Sequence, residues 1–210
     1  GLGVFDFAAV GGAAALLGFA YIQIFGRRAL PERSPAAELV DQQQERADLA
    51  ESYRLSQRLS HVLVFTPDID RSIEFYTRTV GLRMSDRSDA VAFLHAIHGS
   101  DHHILAFAQS NAAGLHHCSW DMSGIDDIGL GAMHMAGKGY SKGWGLGRHV
   151  LGSNYFHYVQ DPWGSFAEYS CDIDYIPASQ RWEPGHHEME DSFFLWGPEP
   201  PDYFTDNLEA

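Results

Sequence analysis

The sequence predicts an α+β fold of two tandem βαβββ modules, on two observations. After Ser60, a short apolar run, a helix with a defined start and end, and three more apolar runs follow one another, and the same order begins again at Leu115. Short runs rich in β-branched and aromatic residues between turn signals are typical of strands. The second observation is that the first strand of each module carries a histidine, His61 in one and His117 in the other.

The first module is predicted from its turn and cap residues. A strand over 61–65 is followed by Thr66-Pro67-Asp68, which indicates a helix start, and Gly81 is a typical residue just past a helix end. Three strands are predicted after this helix, at 82–85, 90–97 and 103–108.

The second module repeats this plan from residue 115. Its helix is predicted to begin near Ile125 and to end at Gly137-Lys138-Gly139. The remaining strands are predicted near 144–150, 154–160 and 165–171. A turn of composition Asp161-Pro-Trp-Gly164 precedes the last strand and sets its register.

Composition excludes some classes of function. Fourteen basic against 28 acidic residues give a formal charge of −14, and such a surface repels phosphate backbones, so no nucleic acid is expected as a partner. The two cysteines, Cys118 and Cys171, have no metal-type spacing, so a reducing cytoplasm is the simplest location. The apolar stretch 7–25 is only marginally long enough for a membrane span and is rich in Gly and Ala, so we expect no membrane anchor.

Three polar residues on predicted strands indicate a metal site. His61 and His117 begin the two modules, and Glu168 lies in the apolar run 165–169. Two imidazoles and one carboxylate leave part of a metal's coordination sphere open, as in non-haem Fe(II) oxygenases. A core histidine with satisfied hydrogen bonds is the alternative for His61 or His117 alone, but an unpaired glutamate in an apolar strand would be costly.

Several short segments together carry a resemblance to a known family. They are 59–62 (LSHV), 101–107 (DHHILAF), 114–118 (GLHHC), 147–149 (GRH), Tyr158, 161–164 (DPWG) and 166–168 (FAE). Over about residues 59–176 the chain resembles the vicinal oxygen chelate superfamily, whose fold is glyoxalase-like, and most closely the catalytic domain of type I extradiol ring-cleaving dioxygenases.

The resemblance implies roles for six residues. The family's iron ligands fall on His61, His117 and Glu168, its acid/base histidine on His103, and its supporting histidine and tyrosine on His149 and Tyr158. It implies Fe(II), or Mn(II) with the same ligands, and cleavage of a catechol-type ring by O₂. The adjacent histidines are the alternatives for two of these roles: His116 in place of His117, and His102 in place of His103. We also expect a homo-oligomer.

The predicted organisation has four parts. Residues 1–35 form a remnant or partial N-terminal module with a linker, 36–58 a connecting helix, 59–176 the catalytic domain and 177–210 an acidic tail. The tail is expected to dock on the domain or on a neighbouring subunit, with a lid over the site as the alternative. His95 and His98 are predicted at the surface or a strand edge, and His186 and His187 in solvent.

Two other functions remain open at this point. One is another metalloenzyme of the superfamily, either a glyoxalase-like isomerase or an antibiotic-modifying enzyme, which need not have His103, His149 and Tyr158. The other is a metal-free module that sequesters a small molecule.

Overall fold

A computed structural model describes residues 56–188 and 192–210. The predicted segment 1–35, the connecting helix except its last three residues, and the apolar run 7–25 lie outside this described part. In the first module the elements are β1 (Arg58–Thr66), α1 (Ile69–Phe75) with a π-helical continuation (Tyr76–Val80), β2 (Arg83–Arg87), β3 (Val91–His95), β4 (Ser100–Asp101) and β5 (Leu105–Gln109).

The predicted ends of the first helix are confirmed. Asp68 caps α1, because its Oδ1 accepts a hydrogen bond of 3.0 Å from the backbone N–H of Arg71. Gly81 ends the helical segment with a φ of 87°, which a residue without a Cβ adopts at little cost. The chain therefore turns directly into β2.

The second module has the same order of elements, without a counterpart of the short strand β4. They are β6 (Gly114–Asp121), α2 (Ile125–Gly137), β7 (Gly143–His149), β8 (Tyr155–Gln160) and β9 (Phe166–Cys171). After it come β10 (Tyr175–Ile176), β11 (Gly185–His186), β12 (Phe194–Trp196) and a 3₁₀ turn (Asp202–Thr205).

The repeat is visible in the sheet. Ten strands form one sheet in the order β11-β2-β3-β5-β1-β6-β9-β8-β7-β12, while β4 pairs with β10. In each module the first strand is parallel to the last, and the third strand and then the second follow outward. The two first strands, β1 and β6, are antiparallel neighbours at the centre. The predicted fold class is thereby confirmed.

The acidic tail docks on the domain. It adds a strand to each edge of the sheet, β11 beside β2 and β12 beside β7. Phe204 of the 3₁₀ turn belongs to the buried cluster of the second module, with Trp144, Phe156 and Phe166. The first module has its own cluster around Leu94.

Two sequence predictions about the first module were wrong in detail. Strand β5 begins at Leu105 and not at His103, because backbone bonding to the neighbouring strands starts only at Ile104, which bonds to Leu94 and Val62, whereas the N–H of His102 bonds to the carbonyl of Asp174. His95 is not at a surface or an edge, since β3 lies between β2 and β5, and only 4% of the residue is exposed.

None of the helices in the described residues is long and apolar enough to cross a bilayer.

Candidate active site

The sheet register brings three of the predicted site residues into one row. His61 on β1 is opposite Ser119 on β6, Ser119 is opposite Glu168 on β9, and Glu168 is opposite Tyr158 on β8. Directly opposed residues on one face have Cβ atoms about 4.5–5.5 Å apart. His117 is two residues from Ser119 and thus on the same face. The row therefore places His61, His117 and Glu168 together.

These three residues, the His-His-Glu trio, converge at their polar ends. His61 Nε2 lies 3.0 Å and His117 Nε2 3.5 Å from Glu168 Oε2. One donor atom from each residue lies within 4.8 Å of the others, and all three residues are buried. The trio has the ligand types and the separations that a metal ion requires.

Two buried atoms of the trio without hydrogen-bond partners indicate whether a metal ion fits there. His117 Nε2 and Glu168 Oε2 are buried without a hydrogen-bond partner in the described residues. The 3.0 Å approach of His61 to Glu168 is close but lacks hydrogen-bond geometry. A buried charge without a partner is costly, and metal coordination is one of the ways in which proteins compensate for it. The trio therefore fits a metal ion.

His116 determines which nitrogen of His117 carries a free lone pair towards Glu168. His116 Nε2 lies 2.7 Å from the carbonyl oxygen of Phe204, which can only accept, so this nitrogen is the donor. Burial lowers the pKa of His116 to about 4, so its ring is neutral and its Nδ1 accepts. That Nδ1 lies 2.6 Å from His117 Nδ1, which then donates. His117 Nε2 is left with a free lone pair.

His149 and Tyr158 form a hydrogen-bonded pair beside the trio. His149 Nδ1 donates to the carbonyl oxygen of Phe193 at 2.8 Å, so its Nε2 is an acceptor. The hydroxyl of Tyr158 donates to this Nε2 at 2.9 Å. His149 Nε2 also lies 4.0 Å from Glu168 Oε1, so both residues border the carboxylate.

Burial tunes the ionisable groups of the site. It lowers the pKa of His117 well below the usual value, and neighbouring histidines add to this, so the ring is a neutral ligand. Burial alone would raise the pKa of Glu168, but His61, His149 and Ser119 outweigh it and the pKa falls below its ordinary value. Burial and the Glu168 charge raise the pKa of Tyr158 well above 10, so its hydroxyl keeps its proton.

A cavity of about 200 Å³ opens next to the trio. His103, His149 and Tyr158 line it together with His61 and His117. The remaining wall is mostly apolar, with Leu63, Phe65, Val91, Phe93, Leu151 and Phe204 among its side chains. All six residues singled out in the sequence thus lie at one place.

The neighbours of His103 and His117 do not face the cavity equally. His103 lines the cavity and its ring centroid lies 4.3 Å from that of His61. His102 is not among the lining residues, and its ring lies behind His103. His116 also lines the cavity, but both of its nitrogens are bonded, to Phe204 and to His117, whereas His117 belongs to the trio.

Sequence reasoning missed several groups that support the site. Asn154 donates from Nδ2 to Glu168 Oε1 at 3.1 Å, but a turn asparagine carries no signal of such a role. The carbonyls of Phe193 and Phe204 have no signature in a sequence at all. His187, expected in solvent, has its Nε2 3.2 Å from Asp86 Oδ1.

The backbone at Gly152 packs closely against the ring of His103. Its φ is 82°, and a Cβ there would lie 2.9 Å from His103 Cε1. A left-handed backbone costs a non-glycine residue about 1–2 kcal/mol. We expect Gly152→Ala to lower the free energy of unfolding by more than this, because the ring of His103 must also move. Denaturant unfolding measures the change.

Gly81→Ala is the matched control for this variant. Its φ of 87° imposes the same backbone cost, but nothing lies within 4 Å of the added Cβ. Equal losses of stability in the two variants would contradict the close packing of Gly152 on His103.

Comparison with known proteins identifies the family. Residues 58–169, more than half of the chain, match the model of the Glyoxalase/Bleomycin resistance protein/Dioxygenase superfamily. The chain therefore belongs to this superfamily.

Individual proteins of known identity show which members of the superfamily the chain is similar to. The chain is 59% identical over 157 residues to metapyrocatechase 2 of Cupriavidus necator, covering 74% of this chain and 49% of the relative. It superposes on the Mn(II)-bound glyoxalase of Novosphingobium aromaticivorans with a TM-score of 0.65 at 28% identity, covering 71% and 50% of the two chains. Homoprotocatechuate 2,3-dioxygenase of Arthrobacter globiformis shares the fold, with a TM-score of 0.66 at 24% identity and coverage of 77% and 52%. The chain spans about half the length of these relatives.

Proposed function

We propose that this protein cleaves the ring of a catechol-type substrate with O₂ in the extradiol mode, beside the two hydroxyls. His61, His117 and Glu168 would hold the metal, Fe(II) by preference, with Mn(II) accepting the same ligands. The observation that carries the proposal is the convergence of three buried donors, two of them with unpartnered atoms, at a cavity that His103, His149 and Tyr158 also line. The 59% identity to metapyrocatechase 2 supports it.

The metal has one role in this proposal. Held by the trio, a redox-active ion would supply open coordination positions and a route for electron density from the substrate to O₂.

Tyr158 and His149 would orient the diol. The hydroxyl of Tyr158 keeps its proton and donates, and the Nε2 of His149 accepts. The hydrogen bond between them occupies that donor and that acceptor, so the Tyr158 oxygen remains to accept a hydrogen bond from a diol hydroxyl beside Glu168. Because Phe193 fixes the His149 ring from behind, this pair is held before substrate arrives.

His103 would move protons in the cavity. A diol that binds as an anion must lose a proton, and a neutral imidazole can accept it and return it later. Burial, followed by the nearby histidines, lowers the pKa of His103 well below its usual value, so the ring is neutral before substrate binds. Its position next to the His61 ring places it at the metal end of the cavity.

The cavity wall favours a neutral substrate. Among the described lining residues there is no Lys, Arg, Asp or Glu, and most of the wall beyond the polar site is apolar. A ring substituent that carries a carboxylate would be buried without a partner, which costs several kcal/mol. We therefore propose catechols that are unsubstituted or carry apolar groups as the substrate class.

Anaerobic loading of the protein with Fe(II), followed by air and a panel of catechols, tests this function. We expect a yellow ring-opened product from catechol and 3-methylcatechol. For 3,4-dihydroxyphenylacetate we expect kcat/KM to be at least about 100-fold lower, because of the unpaired carboxylate. Absence of product with every catechol, despite bound iron, would contradict the function, and equal kcat/KM values would contradict only the substrate class.

A glyoxalase-like isomerase is the second candidate, favoured by the superposition on the Mn(II)-bound glyoxalase. Such an enzyme needs no O₂ and gives no ring-opened product. Oxygen consumption that is dependent on catechol separates the two functions.

We further propose a cytoplasmic homo-oligomer that acts in the breakdown of aromatic compounds. Both cysteines, Cys118 and Cys171, are free thiols, which suits a reducing compartment. Light scattering on the purified protein measures the oligomeric state.

A further inference from the structure

A buried chain of hydrogen bonds leads away from His103 on the side opposite the trio. His103 Nδ1 lies 3.0 Å from His102 Nδ1, and His102 Nε2 lies 2.8 Å from Asp86 Oδ2. Exposure is 4% for His103, 1% for His102 and 6% for Asp86. Neither Asp86 nor His102 lines the cavity, so any effect on the chemistry must pass through His103.

The Asp86 carboxylate is held in one orientation. Its Oδ1 accepts from the backbone N–H of Gly185 at 2.6 Å, and His187 Nε2 lies 3.2 Å from the same oxygen. Oδ2 is thereby left to His102. Burial alone would raise the pKa of Asp86, but its bonds to His102, Gly185 and His187 outweigh it, and the pKa lies below the ordinary value, so the group is a carboxylate near neutral pH.

The direction of donation along these hydrogen bonds follows from the Asp86 end. An ionised carboxylate only accepts, so His102 Nε2 carries a proton, and in a neutral ring Nδ1 is then an acceptor. His103 Nδ1 must donate to it. The nitrogen of His103 that remains for the cavity is Nε2, with a free lone pair.

The second module contains the same arrangement. There the acceptor is the carbonyl oxygen of Phe204, the rear ring is His116 and the front ring is His117, whose Nε2 is left unpartnered beside Glu168. In both modules, an acceptor and a rear histidine thus determine which nitrogen the front histidine presents.

We infer that Asp86 and His102 are positioning residues, which hold His103 in the tautomer whose Nε2 lone pair faces the cavity. This inference rests on the proposed function for its meaning, since that lone pair is what accepts the substrate proton. The tautomer itself exists with or without ring cleavage. The C-terminal tail contributes to this positioning. The backbone N–H of Gly185 holds the Asp86 carboxylate, and Trp182 packs against the His102 ring with centroids 5.6 Å apart.

Asp86→Asn tests the inference because it reverses the direction in which these hydrogen bonds are donated. The backbone N–H of Gly185 can only donate, so the asparagine oxygen stays with it and the amide NH₂ faces His102 Nε2. His102 must then protonate at Nδ1, and His103 at Nε2. Long-range ¹H–¹⁵N spectra of the full chain, loaded with diamagnetic Zn²⁺, distinguish the two tautomers, and the His103 signals are identified by their loss in His103→Asn.

We expect the wild-type spectrum to show a neutral His103 protonated at Nδ1, and the Asp86→Asn spectrum to show it protonated at Nε2. In the Fe(II) form, kcat for catechol should fall on the order of 100-fold while KM changes little, because only proton transfer is impaired. Asp89→Asn is the matched control, since Asp89 pairs with His186 at the surface, and it should change neither the His103 signals nor kcat.

A wild-type His103 protonated at Nε2, or a His102 protonated on both nitrogens, would overturn the inference, and the wild-type spectrum decides this even if Asp86→Asn does not fold. An unchanged tautomer in a folded Asp86→Asn would overturn it as well. If the spectra agree but no catechol is cleaved by the wild type, the proposed function fails and the positioning role stands.

Discussion

Glu168→Gln is expected to leave a folded protein that does not retain its metal and does not consume catechol. The amide is neutral, so the ligand set loses its only negative charge, and the unpartnered Oε2 that faces both histidines is lost as an anionic donor. Loss of a group that merely supports a ligand already costs about 10–100-fold in metal affinity or activity, and loss of the ligand itself should exceed that. Elemental analysis after gel filtration measures the metal content, circular dichroism the fold, and oxygen uptake with catechol the activity.

Glu74→Gln is the matched control for this charge removal. Glu74 pairs with Arg78 at 2.8 Å on the exposed face of α1, with 58% of its side chain accessible. This variant should keep full metal content and activity. A Glu168→Gln protein with stoichiometric iron and wild-type turnover would show that the trio is not the metal site.

His103→Asn is expected to keep the metal and lose turnover. Asparagine places a polar atom near the position of Nδ1, so the contact with His102 can persist, whereas the nitrogen that faces the cavity is removed. A positioned acid/base group contributes about 10²–10⁴-fold, so kcat should fall by this factor with little change in KM. Steady-state kinetics on protein with a measured iron content tests the expectation.

His95→Asn is the control, because it makes the same change at another buried histidine. His95 is 4% exposed and bonds through Nδ1 to Ser85 Oγ at 2.8 Å, but it does not line the cavity. We expect it to alter stability and not kcat. A His103→Asn enzyme with kcat close to that of the wild type would remove His103 from the mechanism.

Much of the fold could be predicted because local signals agree with the final structure. The cap at Asp68 and the left-handed Gly81 define the first helix, and both lie where the sequence places them. The strands that carry His61, His117 and Glu168 also lie where the sequence predicts them. These features depend on neighbouring residues only, which is why one sequence suffices.

The predictions that were wrong depend on contacts between distant segments. His95 is inside because the sheet continues past β3 on both sides, and its own neighbours do not reveal this. His187 bonds to Asp86, 101 residues away, because the tail adds β11 to the sheet edge. The sequence predicted that the tail docks, but the acidic composition around His186 and His187 indicated that these two side chains lie in solvent.

The sequence by itself determined the two modules, the strands that carry His61, His117 and Glu168, and the residue types that suit a metal, because these follow from periodicity and from side-chain chemistry. Only the tertiary structure decided that the four strands β1, β6, β9 and β8 align in a register that makes these side chains meet. It also decided which nitrogen each histidine presents, since that depends on the acceptors Asp86, Phe193 and Phe204. Two of these acceptors are backbone carbonyls, which every residue has, so their selection is a matter of position in space.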